Sequence, residues 1–294
     1  MIERSLLVSP TQNIQRVSVH GGHSGQFCCH AQNSLDEIVN AYISKGFSWV
    51  GITEHMPPTE ERFVYPDETA AGLDVKSLED RFADYIFTCR ELQQKYLQEI
   101  SLYVGFESEC YTGAVDRILE LKSKFKPDYI VGSIHHVNNI PIDMDLKHYT
   151  LALTATGGYE KLYCAYFDTQ YKLLKKISPE VVGHFDLIRI FDDDYTRHLK
   201  LPAVWERIVR NLKYIQEKKM ILDFNLRALS KGAVEPYVAA PILKTALSLG
   251  IAVVPGDDSH GVASVGCNIE EGIHILQQSG ADTHWVKPVD VSTF

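Results

Sequence analysis

At 294 residues, 45% apolar and 23% charged, the chain has the composition of a soluble globular protein and the length of one large domain or two ordinary ones. Its formal charge of −9 at pH 7 argues against a nucleic-acid partner, which would call for a basic face. A small anionic substrate stays open where local cations or metal ions offset the field. No stretch approaches the roughly 20 apolar residues of a membrane span, so no membrane partner is expected. Residues 1–14 lack the basic start and apolar core of a signal peptide. The six cysteines, Cys28, Cys29, Cys89, Cys110, Cys164 and Cys267, are scattered and include no Cys-x-x-Cys pair. A chain this long needs no disulfide scaffold, so they read as reduced and the location as cytoplasmic. Cys28 and Cys29 lie beside histidines and are taken as packing rather than as ligands.

Short apolar runs alternate with helical patterns along the chain. The first run, Arg16–His20, is followed by a capping box, Ser34-Leu-Asp-Glu37, and a helix that Gly46 ends. Ser48–Thr53 is the second run; a Pro-containing loop over residues 56–73, a candidate lid by its length, then leads into a long helix to about Gln98. Ser101–Phe106 precedes a helix near Ala114–Lys124, and Asp128–Ile134 precedes an irregular segment and a helix near Tyr159–Ile177. Glu180–Gly183 comes next, then a charged loop and a helix opened by Pro202. Lys219–Asn225 precedes a helix near Ala239–Leu249, and Ile251–Pro255 precedes a helix to about Gln278. His284–Val286 is a weak eighth run.

Seven or eight strand-then-helix units predict a parallel sheet with helices outside, and the nearly continuous apolar runs suit strands buried on both faces. Polar residues with ligand chemistry follow nearly every run: His20 and His23, Glu54 and His55, Glu107, His135, His184, Asn225, and Asp258 with His260. A closed (β/α) barrel gathers all of these on one rim, whereas an open sheet spreads them along an edge. With no repeat, linker or low-complexity tract to split the chain, one domain is expected over residues 1–294.

Singly, these residues have plain alternatives. Asp258 can cap the following helix, His184 can be a satisfied core histidine, and Arg189 can pair with Asp186 or Asp192–Asp194 instead of a substrate phosphate. Together, six or seven imidazoles and two carboxylates on one rim are hard to satisfy without metal. Imidazole with some carboxylate suits zinc, iron or manganese, in two to three divalent ions. Clustered divalent ions point to hydrolysis of a phosphoester by metal-activated hydroxide. No Walker loop, dinucleotide-binding glycine pattern or Gly-x-Ser-x-Gly elbow is present.

Nearly the whole chain resembles the polymerase-and-histidinol-phosphatase (PHP) family, and within it the fungal-type histidinol-phosphatase branch. The likeness rests on His23-Ser-Gly-Gln-Phe-Cys-Cys-His30, Thr53-Glu-His55, Phe63-Val-Tyr-Pro66, Gly105-Phe-Glu107, Gly132-Ser-Ile-His-His-Val-Asn138 with Ile140-Pro-Ile-Asp143, Val182-Gly-His-Phe-Asp-Leu187, Glu235-Pro-Tyr237 and Asp258-Ser-His260. It implies a distorted (β/α)7 barrel with a trinuclear site. His23, Glu107 and Asp258, with a residue near His20, would serve one ion. Glu107 would bridge to a second held by His135 and His184, and His30, His55 and His260 would hold the third. Glu107, His135 and Asp258 would be the catalytic centre, with Arg189, Arg227, Lys231 and His136 as substrate contacts. The implied reaction is hydrolysis of L-histidinol phosphate, a small-molecule ester, in histidine biosynthesis; another small phosphate monoester, or a non-catalytic metal-binding barrel, is the alternative. The oligomeric state is left open.

Two departures from the family pattern stand out. The family opens on His-x-His, but here the spacing is His20-Gly-Gly-His23 and the expected first histidine falls on Gly21, so His20 reaches the site only if the glycines allow a bulge. After the sixth run, Asn225-Leu-Arg227-Ala-Leu-Ser-Lys231 puts Ser230 where the family has an arginine. The phosphate-binding cation is then Arg227 or Lys231, or is missing.

Overall fold

Parallel strands at β1 (Arg16–Gly21), β2 (Phe47–Ile52), β3 (Ser101–Glu107) and β4 (Tyr129–Gly132) run side by side in chain order in a computed structural model that describes residues 14–291. A small antiparallel hairpin, β5 (His136–Val137) and β6 (Ile140–Pro141), stands apart. β7 (Val181–Val182), β8 (Ile221–Asn225) and β9 (Val253–Gly256) complete a seven-stranded parallel sheet in the order β1-β2-β3-β4-β7-β8-β9.

The two ends of this order, β1 and β9, meet. Asp258 N–H donates to His20 O (2.9 Å), His23 N–H to Ser259 O (2.7 Å), and Ser18 Oγ to Asp257 Oδ1 (2.6 Å). The result is a nearly closed (β/α)7 barrel. Its strands are buried on both faces because helices cover the outside. One continuous apolar core runs through it, and the Tyr129 ring crosses the interior, its hydroxyl donating to Val19 O (2.8 Å).

Helix Leu35–Ser44 begins at the predicted capping box: Ser34 Oγ accepts from Glu37 N–H and Glu37 Oε2 accepts from Ser34 N–H. The segment after the fourth run is less irregular than its sequence suggested. Asn138 and Asn139 take positive φ (+53° and +64°) and close the β5–β6 hairpin. Asp145 then caps helix Leu146–Thr156 by accepting from His148 N–H (2.8 Å). The weak eighth run forms no strand; Trp285 Nε1 instead donates to Gln15 O (2.7 Å) beside β1. Of the opening stretch read for a leader, only Ile14 lies within the described residues. No helix among these is long and apolar enough to cross a membrane.

Candidate metal centre

The C-terminal ends of the strands converge on one buried carboxylate. Glu107, the last residue of β3, is 2% exposed and has five imidazoles around it. His184 Nε2 is 2.9 Å from Glu107 Oε1 and His135 Nε2 is 3.3 Å from the same oxygen. His55 Nδ1, His20 Nε2 and His23 Nε2 lie 3.2, 3.5 and 3.8 Å from Oε2. His55 arrives there because the β2–β3 pairing continues past the strand: Glu107 N–H donates to Glu54 O and Met56 N–H to Glu107 O, which sets His55 opposite Glu107. Burial disfavours the Glu107 charge, but His20, His135 and His184 hold its carboxyl well below the usual carboxylate range.

His20 reaches this point through a bulge. Ser18 pairs with Val50 and Gly21 with Ile52, so three steps on β1 span two on β2. A side chain at 21 has no room, since a Cβ there would overlap Gly51 O and lie 2.5 Å from Val50 Cγ2. The imidazole is therefore carried by position 20. Asp258 and His184 both take positive φ (+45° and +20°), a conformation that is unfavourable for residues with a Cβ. Asp258 Oδ1 lies 3.5 Å from His23 Nε2, and Asn225 Nδ2 donates to Oδ2 (3.2 Å).

A second layer of carboxylates orients the imidazoles. His20 Nδ1 is 2.9 Å from Asp223 Oδ2, His23 Nδ1 is 3.4 Å from Glu54 Oε2, and His135 Nδ1 is 3.1 Å from Glu109 Oε1. The His20–Asp223 pair is a hydrogen bond that fixes the ring tautomer and leaves Nε2 for a ligand, and the other two are contacts within ion-pair reach. Sequence reasoning missed Asp223 and Glu109. Both sit two residues from a residue it had singled out, on the same face of the strand or its continuation, and strand periodicity could have found them.

Donor atoms from His20, His23 and Glu107, from Glu107, His135 and His184, and from His20, His184 and Asp258 form groups within 4.8 Å of one another. A further group draws on His23, Cys28, His55 and His260. His20 Nε2 and both ring nitrogens of His23 and His55 are buried with no hydrogen-bond partner. Orphaned imidazole nitrogens among buried carboxylates fit divalent metal ions. Partial loss of hydration and the neighbouring imidazoles push His30 down to about 4, and burial with His23 puts His260 well below its ordinary value. His30 stands at the edge: its ring centroid is 5.3 Å from His55 and 5.2 Å from His260, while its Nδ1 meets Asp67 Oδ2 at 3.2 Å.

The centre forms the floor of a cavity of about 510 Å³. Tyr65, Pro66 and Asp67, from the Pro-containing loop, line it, with Arg227 and Lys231 on the β8 side and Asp143, Asp145 and His148 from the segment after β6. Arg227 Nη1 donates to Asp258 O (2.8 Å). Partial loss of hydration and then Arg227 lower the Lys231 ammonium. Two predicted substrate contacts are not brought to this wall. Arg189 is buried, donating to Asp186 Oδ2 (2.9 Å), Glu235 O and Pro236 O (3.0 and 2.6 Å) between the Tyr195 and Tyr237 rings. A buried guanidinium demands such pairing, and the carboxylate three residues earlier supplies it. His136 is also buried, its Nδ1 3.3 Å from Glu109 Oε2, which with Cys110 pushes it up to about 10 against the effect of burial.

Residues 21–227 match the PHP domain family. The chain belongs to the PHP-domain family. It is 35% identical over 268 residues to a protein of Schizosaccharomyces pombe named probable histidinol-phosphatase, covering 90% of this chain and 87% of that one. It is 30% identical over 281 residues to the histidinol-phosphatase of Saccharomyces cerevisiae, covering 84% of each. Its fold is similar to that of the Lactococcus lactis histidinol phosphate phosphatase solved with zinc, L-histidinol and phosphate, with a TM-score of 0.70, 16% identity, and coverage of 91% of this chain and 95% of the other. A solved hisK protein of Listeria monocytogenes gives a TM-score of 0.76 at 23% identity, covering 87% and 99%.

Proposed function

We propose that this PHP chain hydrolyses L-histidinol phosphate to L-histidinol and phosphate, acting as one domain in histidine biosynthesis. The observation that carries the reading is the convergence of five imidazoles on Glu107 at the floor of a cavity whose wall supplies two cations. The names of the fungal relatives supply the ester. Two to three divalent ions of zinc, iron or manganese would lower the pKa of a bound water and offset phosphoryl charge.

The chain's own residues do the rest. Glu107 would share two of the ions, one with His20, His23 and Asp258 and one with His135 and His184, while His55 and His260, with His30 at the edge, would hold the third. Arg227, anchored on Asp258 O, keeps guanidinium donors for phosphate oxygens. Lys231 is solvent-exposed on the cavity wall beside that guanidinium and has no ion-pair partner among the described residues, so an incoming dianion relieves the like-charge contact. The unpaired state of all six cysteines supports a reducing, cytoplasmic setting.

The test is phosphate release by the purified, metal-replete protein from L-histidinol phosphate, beside an aryl phosphate and a nucleoside monophosphate. Strong preference for histidinol phosphate is expected. Activity confined to the other esters moves the substrate and keeps the chemistry. Inactivity on all three with metal bound leaves a non-catalytic barrel.

A further inference from the structure

The group formed by His23, His55 and His260 contains a donor that the assignments above do not use. Cys28 lies in the turn after β1, where Phe27 and Cys28 N–H both donate to Ser24 O (3.0 and 2.8 Å). That turn buries the Cys28 side chain to 3% exposure and brings Sγ within 4.8 Å of a ring nitrogen from each of the three histidines. The rings themselves are crowded: the His23 centroid is 4.5 Å from that of His55 and 4.3 Å from that of His260. His23 is fully buried, and neither of its nitrogens, nor either of His55, has a hydrogen-bond partner. Imidazole nitrogens left without a hydrogen-bond partner beside a buried thiol are costly unless a shared ligand satisfies them. His30, the residue expected at this position, has a side chain 39% exposed and turns Nδ1 to Asp67.

We propose that Cys28 binds, as a thiolate, the metal ion that His55 and His260 would hold, giving that position a mixed sulfur and nitrogen donor set. On binding, the S–H bond breaks, the proton leaves to solvent and the sulfur–metal bond forms, with no change of oxidation state. A soft sulfur donor favours zinc or iron over manganese or magnesium at this one position. The neighbouring Cys29 has a different environment, with Arg81 Nη1 donating to its sulfur (3.3 Å), and is the natural control. The inference rests on reading the cluster as a metal centre and is independent of which ester is cleaved.

The experiment is electronic spectroscopy of the whole protein loaded with cobalt(II), with cobalt content measured on the same samples. An intense near-ultraviolet sulfur-to-cobalt charge-transfer band is expected in the wild type and in Cys29→Ser, and its loss in Cys28→Ser, with weaker retention of one cobalt. Full cobalt occupancy in the wild type without the band overturns the inference, as does persistence of the band in Cys28→Ser. If Cys28→Ser does not fold, the wild-type and Cys29→Ser spectra decide. Failure to hydrolyse histidinol phosphate would leave the band in place, whereas failure to bind cobalt would overturn the metal reading together with the thiolate.

Discussion

Replacing Asp223 with Asn isolates what the second layer contributes. Asp223 is fully buried in β8, and its Oδ2 meets three donors: His20 Nδ1 at 2.9 Å, His184 N–H at 3.2 Å and Asn225 Nδ2 at 3.1 Å. An amide has the same shape, so the barrel is kept and one negative charge is lost. Hydrogen bonds to charged groups contribute about 1.5–3 kcal/mol and neutral ones about 0.5–1.5 kcal/mol. The difference, about 1–1.5 kcal/mol at His20 alone, corresponds to roughly tenfold in metal affinity. The lost charge beside a dication adds to this, so about 10–100-fold is expected for Asp223→Asn. The assay is competition for zinc against a chromophoric chelator, with thermal unfolding of the metal-free protein alongside. Zinc affinity equal to wild type would refute the argument. A metal-free melting point lowered as steeply as the affinity would make Asp223 a fold residue instead of an orienting one.

Further outcomes follow from the same geometry. Gly21→Ala should destabilise by about 1–3 kcal/mol or more, because its Cβ meets the backbone of Gly51 and Val50 Cγ2, and restoring the family spacing with His20→Ala and Gly21→His should abolish activity; a double variant that hydrolyses histidinol phosphate normally would show that the bulge is dispensable. Arg189→Ala leaves buried Asp186 without its cation and should cost about 3–5 kcal/mol in urea unfolding with little change in KM, and an unmoved urea midpoint would count against the pairing. Arg227→Ala should raise KM for the ester by about tenfold or more, the loss of one charge-assisted contact, and an unchanged KM would remove it from the phosphate site. Zinc at about 1,000 times its Kd should add about 4 kcal/mol of stability. At about 2–4 °C per kcal/mol that is a rise in Tm of roughly 8–16 °C, and identical melting in zinc and in chelator would contradict a buried metal centre.

The barrel was legible because each strand is a short apolar run and each helix carries its own start and stop signals. Ser34 with Glu37, Pro202 and Gly46 each mark a boundary that needs no tertiary partner. The hairpin and helix between β4 and Tyr159 were not legible, although Asp145 and Gly157 cap the helix at both ends. That helix buries little, with only Tyr149 and Ala152 fully inside, so its apolar periodicity is faint and the caps alone had to speak. Arg189 failed for a different reason. A cation near a site and a cation inside a wall have the same sequence; only burial beside Asp186 separates them.

His20 brings these two kinds of information together. Strand alternation puts position 21 opposite the face of 20, so a one-residue shift of a histidine should turn its ring away from the rim. The extra residue in β1 undoes that shift, restoring the facing of position 20 while β2 stays in register with β3. Once the bulge exists, position 21 passes so close to Gly51 that any side chain collides, and the glycine becomes a requirement of the imidazole beside it. Asp223 then holds His20 Nδ1 from β8, the strand beyond β9, and Tyr42 and Ser18 hold Asp257 at the same seam. The altered spacing and the second-layer carboxylate therefore act on one ring. The loss of zinc affinity in Asp223→Asn and the loss of activity in the transplanted histidine should come from the same displaced nitrogen.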